Sequence, residues 1–140
     1  MSGFIVWRRL EPRELDHEVV WLSVSLAAAA MGCFWIYAGL PTMGCWWKQW
    51  TGCPCPGCGT TRAVVQLAHG HILSAIRFNP LAMVAAAAVG LFDCYAAAVL
   101  AFRWPRLRWD KPAPRTARAI RIAVVLAVLV NWLWVWRIGN

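Results

Sequence analysis

Between Cys45 and Leu81 the chain reads CWWKQWTGCPCPGCGTTRAVVQLAHGHILSAIRFNPL, and at its centre sits the knot Cys53-Pro54-Cys55-Pro56-Gly57-Cys58-Gly59. Cys55 and Cys58 have the spacing of a zinc knuckle, because two cysteines three apart on a tight glycine-containing turn aim both thiolates at one ion. One knuckle is half a site. Cys45, Cys53, His69 or His71 would have to complete it, with zinc or copper as the metal. The same pair precedes a helix-forming run, where the positive end of the helix dipole stabilises a thiolate. Cys55 and Cys58 could then serve a thiol-disulfide oxidoreductase, with Cys45 or Cys53 as the resolving partner and Arg62 adding positive charge. In a third reading, one or two disulfides, Cys55 to Cys58 or Cys45 to the knot, simply pin a loop. A CxxC motif leaves the three open, and neither a thioredoxin-like strand pattern nor a recognisable quinone site accompanies it.

The elements that must position these cysteines are membrane helices. The 140 residues are 61% hydrophobic and only 14% charged, which is far from a soluble globule, and the eleven tryptophans suit a bilayer interface. The net charge of +8 flanks apolar runs instead of forming a basic domain, so nucleic acid is excluded as a partner and the lipid bilayer is the expected one. Residues 1–18 form a cytoplasmic segment of mixed charge in which Phe4 and Trp7 are placed to dip into the interface. Its acids Glu11, Glu14, Asp16 and Glu18 argue for a retained anchor and against a cleaved signal peptide. The first span covers residues 19–40, long enough for a hydrocarbon core of about 30 Å, and ends at Gly39 and Pro41.

Asn79-Pro80 announces the second span, residues 80–102, because Asn is a good N-cap and Pro fits the first helical turn. A basic loop, 103–118, precedes a third span at 119–136. Arg8, Arg9 and Arg13 at the N-terminus, with Arg103, Arg106, Arg108, Lys111, Arg115, Arg118 and Arg121 near the loop, outnumber Lys48, Arg62, Arg77 and Arg137 on the other side. The positive-inside rule therefore places the N-terminus in the cytoplasm and the cysteine element, 41–79, outside. Within that element Thr60 or Thr61 caps a helix that Gly70 stops, and a second short turn runs from Ile72 to Phe78. The fold class is all-α: three transmembrane helices with a short, cysteine-rich, partly helical outer element between the first two.

Inside the spans Asp93 is costly unless neutral or paired, and a count of helical rise puts Asn131 within about one turn of its depth. A shared hydrogen bond is expected. Cys33 and Cys94 differ in depth by roughly 9 Å, too far for a disulfide, and read as packing residues. Trp132, Trp134 and Trp136 read as an aromatic belt.

Cys45, Cys55-Pro56-Gly57-Cys58-Gly59, Thr61-Arg62-Ala63, Leu67, Gly70, Ala75 and Asn79-Pro80-Leu81 follow the order C-x9-CPGCG-x-TRA, then Leu, Gly, Ala and NPL. This resembles a family of small bacterial membrane proteins of unknown function. The resemblance implies a bacterial inner-membrane location and gives weight to those positions, but no substrate; Cys53 departs from the pattern. Three spans enclose little volume, so a homo-oligomer or a subunit of a larger complex is expected. The leading function is a non-catalytic binding, assembly or accessory subunit with a cysteine-pinned outer element. The alternatives are the oxidoreductase and the zinc or copper knuckle.

Overall fold

A computed structural model of the protein describes residues 5–8, 14–39, 44–109 and 112–138, with only the backbone given for 5–8 and Trp109. Phe4, Arg9, Glu11, Arg13, Leu40, Pro41 and Lys111 lie outside the described residues. The order is β1 (Ile5–Arg8), α1 (His17–Tyr37), α2 (Trp46–Thr51), α3 (Thr60–Ala68), α4 (Ile72–Phe78), α5 (Pro80–Phe102), β2 (Arg106–Trp109) and α6 (Pro114–Ile138).

Among the described residues three helices are long and apolar enough to cross a membrane: α1, α5 and α6, of 21, 23 and 25 residues. At about 1.5 Å per residue they extend roughly 32 to 38 Å, enough for a hydrocarbon core of about 30 Å. Their large side chains point outward, with Trp21 59%, Phe34 68% and Leu91 73% exposed. Water would not tolerate that surface, whereas lipid does, since each helix satisfies its own backbone and presents a largely apolar surface. The chain thus fits a multi-pass membrane protein. The second helix spans the residues its Asn-Pro start dictates, and the third begins at Pro114, five residues before the expected 119.

At one end lies a feature that a purely helical reading lacks. β1 and β2 pair antiparallel, with Ile5 opposite Trp109 and Arg8 opposite Arg106. The Leu107 backbone N–H donates to the Tyr95 hydroxyl at 2.8 Å, which ties this ribbon to α5. Arg103, in the left-handed region at φ 52°, turns the chain out of α5 toward it. Arg106 hydrogen-bonds Asp16 and lies 3.6 Å from Glu18. Arg108 reaches Glu18 at 3.2 Å and Glu14 at 3.5 Å. Glu18 is only 2% exposed, so its charge is held by the two guanidiniums and not by water. Two arginines of the basic loop therefore also close the loop onto the start of α1.

Partial burial works to raise the Asp16 pKa, but the hydrogen bond and charge of Arg106 outweigh it and hold the carboxyl below its ordinary 3.8. A carboxyl depressed in the folded state contributes stability that is complete above its unfolded pKa and is lost as pH falls through the lower folded value. Thermal unfolding followed downward from about pH 5 should therefore show a loss of stability beginning near pH 3.8. Arg106→Gln should flatten that part of the curve; an unchanged slope would show that the pair contributes nothing.

At the opposite end, α3 and α4 form a tight helical hairpin. Ala63 and Ala75 are fully buried, so their lack of a larger side chain lets the two helices approach. Gly70, at φ 79°, makes the turn between them, and Asn79 in extended conformation turns the chain from α4 into α5.

Candidate metal centre

Two chain segments meet beside the α3–α4 hairpin. Cys45 is the residue before α2, and the turn ending at Gly59 (φ 83°) carries Cys55 and Cys58. Within that turn the Cys58 N–H donates to the Cys55 carbonyl at 3.0 Å, and the Cys55 N–H donates to the Cys58 Sγ at 3.2 Å. These bonds fold both side chains to one side.

The Sγ of Cys55 lies 3.3 Å from that of Cys45 and 3.4 Å from that of Cys58, and all three fall within 4.8 Å of one another. Sulfurs on a tetrahedral zinc, each at about 2.3 Å from the ion, sit about 3.8 Å apart, so small rotations would seat an ion among them. A disulfide needs about 2.05 Å, and all six cysteines are free thiols. Cys58 is 6% exposed, whereas Cys45 and Cys55 are half-buried beside an open cleft of about 600 Å³.

The thiols differ in acidity. The Lys48 backbone N–H, with help from the Cys58 and Cys55 thiols, brings Cys45 down to about 7. Burial, followed by the two neighbouring thiols, pushes Cys58 up to about 11. Three thiols this close cannot all ionise unaided. A divalent or soft monovalent cation among them would remove that conflict, since thiolates ligate only when deprotonated.

The turn itself is held by side chains from the long helices. Asn79, 2% exposed, caps α5 by accepting the Ala82 N–H at 3.0 Å, while its Nδ2 faces the Cys58 carbonyl at 3.1 Å, Thr60 Oγ1 at 3.2 Å and the Pro56 carbonyl at 3.4 Å. Asn131 on α6 donates to the Pro56 carbonyl at 3.0 Å and accepts the Leu81 N–H at 3.0 Å. Trp132 donates its indole N–H to the Pro54 carbonyl at 2.8 Å. Every second carbonyl from Pro54 to Cys58 therefore has a donor from outside the turn. These are outer-shell contacts of the kind that fix ligand direction at metal sites.

Residues 45–92 match the DUF2752 family model, that of a protein of unknown function. No curated protein and no solved structure matches the chain. The DUF2752 stretch begins at the first thiol of the cluster, includes Cys55, Cys58 and Asn79, and stops before the third long helix that supplies Asn131 and Trp132.

Within the DUF2752 stretch the sequence candidates separate. Cys53 stands outside the cluster: it is exposed, and its N–H is taken by Thr51 Oγ1 at 3.2 Å in the turn that ends α2. His69 bonds the Val65 carbonyl and His71 bonds Gln66 Oε1, both exposed and outside the thiol group. Thr61 and Arg62 line the cleft, Gly70 makes the hairpin turn and Pro80 begins α5. Outside that stretch, Cys33 and Cys94 lie exposed on their helices.

The expected Asp93–Asn131 bond is not formed. Asp93 accepts instead from Ser25 on α1 at 2.7 Å, and Asn131 stands level with Leu81. Leu81 and Asp93 are twelve positions apart on α5, about 18 Å of helix. The start of α6 at Pro114, five residues or about 7.5 Å before the expected one, accounts for part of the error in the depth count. The sequence reading also missed α2 and the Trp132 bond. The signal for the latter was available: a polar Asn beside an indole donor, set in an otherwise apolar span.

Proposed function

We propose that the protein is a small bacterial inner-membrane binding or assembly subunit whose outer element holds one soft metal ion, zinc or copper(I), on Cys45, Cys55 and Cys58. The observation that carries this reading is the convergence of three sulfurs, from two separate segments, within 4.8 Å. A disulfide needs two thiols, and a loop pin needs no third. Three protein ligands beside a cleft also leave a fourth coordination position open, as in non-structural zinc sites. The arginine count supports the cysteine end facing outward. Arg106 and Arg108 still count although ion-paired, because the rule concerns Lys and Arg and not net charge. A bound ion would also protect these thiols in an oxidising compartment. The outward-facing apolar surface of the three spans and the Ser25–Asp93 pair suit packing against further helices, in a homo-oligomer or a larger complex.

One observation favours the oxidoreductase as a second reading: half-buried Cys45, with its pKa brought to about 7, lies 3.3 Å from Cys55. Attack by the Cys45 thiolate on a substrate disulfide, then by Cys55 on the mixed disulfide, would leave a Cys45–Cys55 disulfide and a reduced dithiol product.

The test is metal analysis and thiol trapping on the same protein, extracted from membranes without chelator. One equivalent of metal, with the three thiols reacting with maleimide only after chelation, is the expected result. Thiols blocked until reduction, with no metal, would replace this reading by disulfide pinning. A mixed population that shifts with growth conditions would favour the oxidoreductase.

A further inference from the structure

Cys45 and the pair Cys55 and Cys58 are supported differently. Asn79, Asn131 and Trp132 hold the turn that carries the pair, and none of them bonds Cys45. Cys45 belongs to α2 instead: it stands immediately before the helix and its carbonyl accepts the Gln49 N–H at 3.1 Å, so its thiol moves when α2 moves. Yet α2 has little hold on the rest of the protein. All six of its residues are exposed, and among the described residues its side-chain hydrogen bonds are local, from Thr51 Oγ1 to the Trp47 carbonyl at 2.8 Å and from the Cys53 N–H to Thr51 Oγ1 at 3.2 Å. The restraint on the third thiol then has to come from what covers α2.

At 3.6 residues per turn, Trp46, Trp50 and Trp47 fall within an arc of about 100°, and the rings of Trp46 and Trp50 lie 5.2 Å apart, centre to centre. The three are 68%, 77% and 52% exposed. None of them lines the cleft beside the thiols, whereas Lys48, on the other side of the helix, does. A stripe of indoles turned away from the protein, with a lysine on the polar side, is the pattern of a short helix lying in a bilayer interface. Depth agrees with it. Trp132 on α6 holds the Pro54 carbonyl at 2.8 Å, and Thr51, the last residue of α2, stands three residues before Pro54. At no more than about 3.6 Å per residue, α2 therefore ends within about 11 Å of a level six residues short of the end of α6. The exposed indoles of Trp132, Trp134 and Trp136 occupy that same end, so the α2 stripe continues the lipid-facing surface of the spans.

We infer that α2 is an interfacial anchor: its indoles sit at the boundary of headgroups and acyl chains on the cysteine side of the bilayer, and this seat sets the position of Cys45 against Cys55 and Cys58. The occupant of the indole face is phospholipid. The consequence for a bound ion rests on the metal reading above; the anchoring and the placement of Cys45 do not.

The experiment uses the full chain in nanodiscs of phosphatidylcholine. With a photoreactive benzophenone amino acid in place of Trp50, illumination should give phospholipid adducts, read by mass spectrometry. Adducts to a second copy of the chain alone would make this face a subunit interface, and adducts to neither would leave it in water; either result overturns the inference. Placement of the thiol is read without metal, in chelator-treated protein, as the rate at which diamide joins Cys45 to Cys55 in a disulfide. Trp46→Gln, Trp47→Gln and Trp50→Gln together should slow that reaction about tenfold, because glutamine keeps the helix but leaves the interface. The corresponding triple change to Phe should keep the wild-type rate. All three indoles are exposed, so neither set disturbs the packed interior. A rate unchanged by the Gln set, or lowered equally by the Phe set, overturns the placement of Cys45 by the bilayer. Cobalt(II) affinity should fall by at least about tenfold in the Gln set, as for lost outer support at a metal site; an unchanged affinity there, in a protein whose wild type binds cobalt, overturns the inference too. Wild-type protein that takes up no cobalt, yet gives the lipid adducts and the slowed disulfide, sinks only the metal reading.

Discussion

Cys55→Ser protein should come out of the membrane without metal, whereas Cys53→Ser protein should retain it. Cys55 is the central thiol, with its Sγ 3.3 Å from Cys45 and 3.4 Å from Cys58, so its loss leaves two sulfurs without their common neighbour. The fall in affinity should exceed the roughly 10–100-fold that follows loss of an outer-shell partner, because a direct ligand is removed. Cys53, two residues away, is exposed and outside the group, which makes it a demanding control. Cobalt or zinc titration of both purified variants reads the difference. Wild-type affinity in both would show that the cluster is not a metal site. Loss in both would show that Cys53 joins it in the loaded protein.

A second large effect is expected at Asn79, which never touches a thiol. Asn79→Asp keeps the oxygen that caps α5 but turns the donor facing the Cys58 and Pro56 carbonyls into a buried acceptor. A buried carbonyl without its donor costs about 1–3 kcal/mol, and an unpaired buried carboxylate adds to that, so a loss of about 3 kcal/mol or more is expected. Metal affinity should fall about 10–100-fold with it, as for an outer-shell residue. Asn79→Ala separates the two roles by removing cap and donor together without adding charge; the cap alone is worth about 0.5–2 kcal/mol. Thermal unfolding in detergent and metal titration measure both quantities. An Asn79→Asp protein with wild-type midpoint and affinity would mean that the clamp on the turn is energetically idle.

Local chemistry made some of this structure legible in the sequence. Asn79-Pro80 marks the start of α5, and Gly70 and Phe78 bound α3 and α4, because proline, caps and left-handed glycines act within a few residues; the expected threonine cap is not formed, since the N-cap of α3 is Gly59 and no side chain caps the helix. The knot announced the cysteines for the same reason. Pairings between distant segments were not legible. The β1–β2 ribbon joins four-residue strands about a hundred positions apart, too short for an alternating pattern to stand out. The bond of Ser25 to Asp93 depends on how α1 is rotated against α5, which apolar composition does not specify. Trp132 looked like one member of an interfacial belt because a sequence gives the depth of an indole but not the partner of its N–H. The choice of Cys45 over Cys53 as third thiol was hidden likewise, since α2 and its closing turn decide which sulfur swings inward.

The clamp on the knot also has a temporal consequence. Two of the three side chains that hold its carbonyls, Asn131 and Trp132, come from the last helix of the described chain. During synthesis all three thiols are therefore made well before two of these three donors, which reach the turn only when α6 docks. Until then only Asn79, of the three, can hold the turn that carries Cys55 and Cys58.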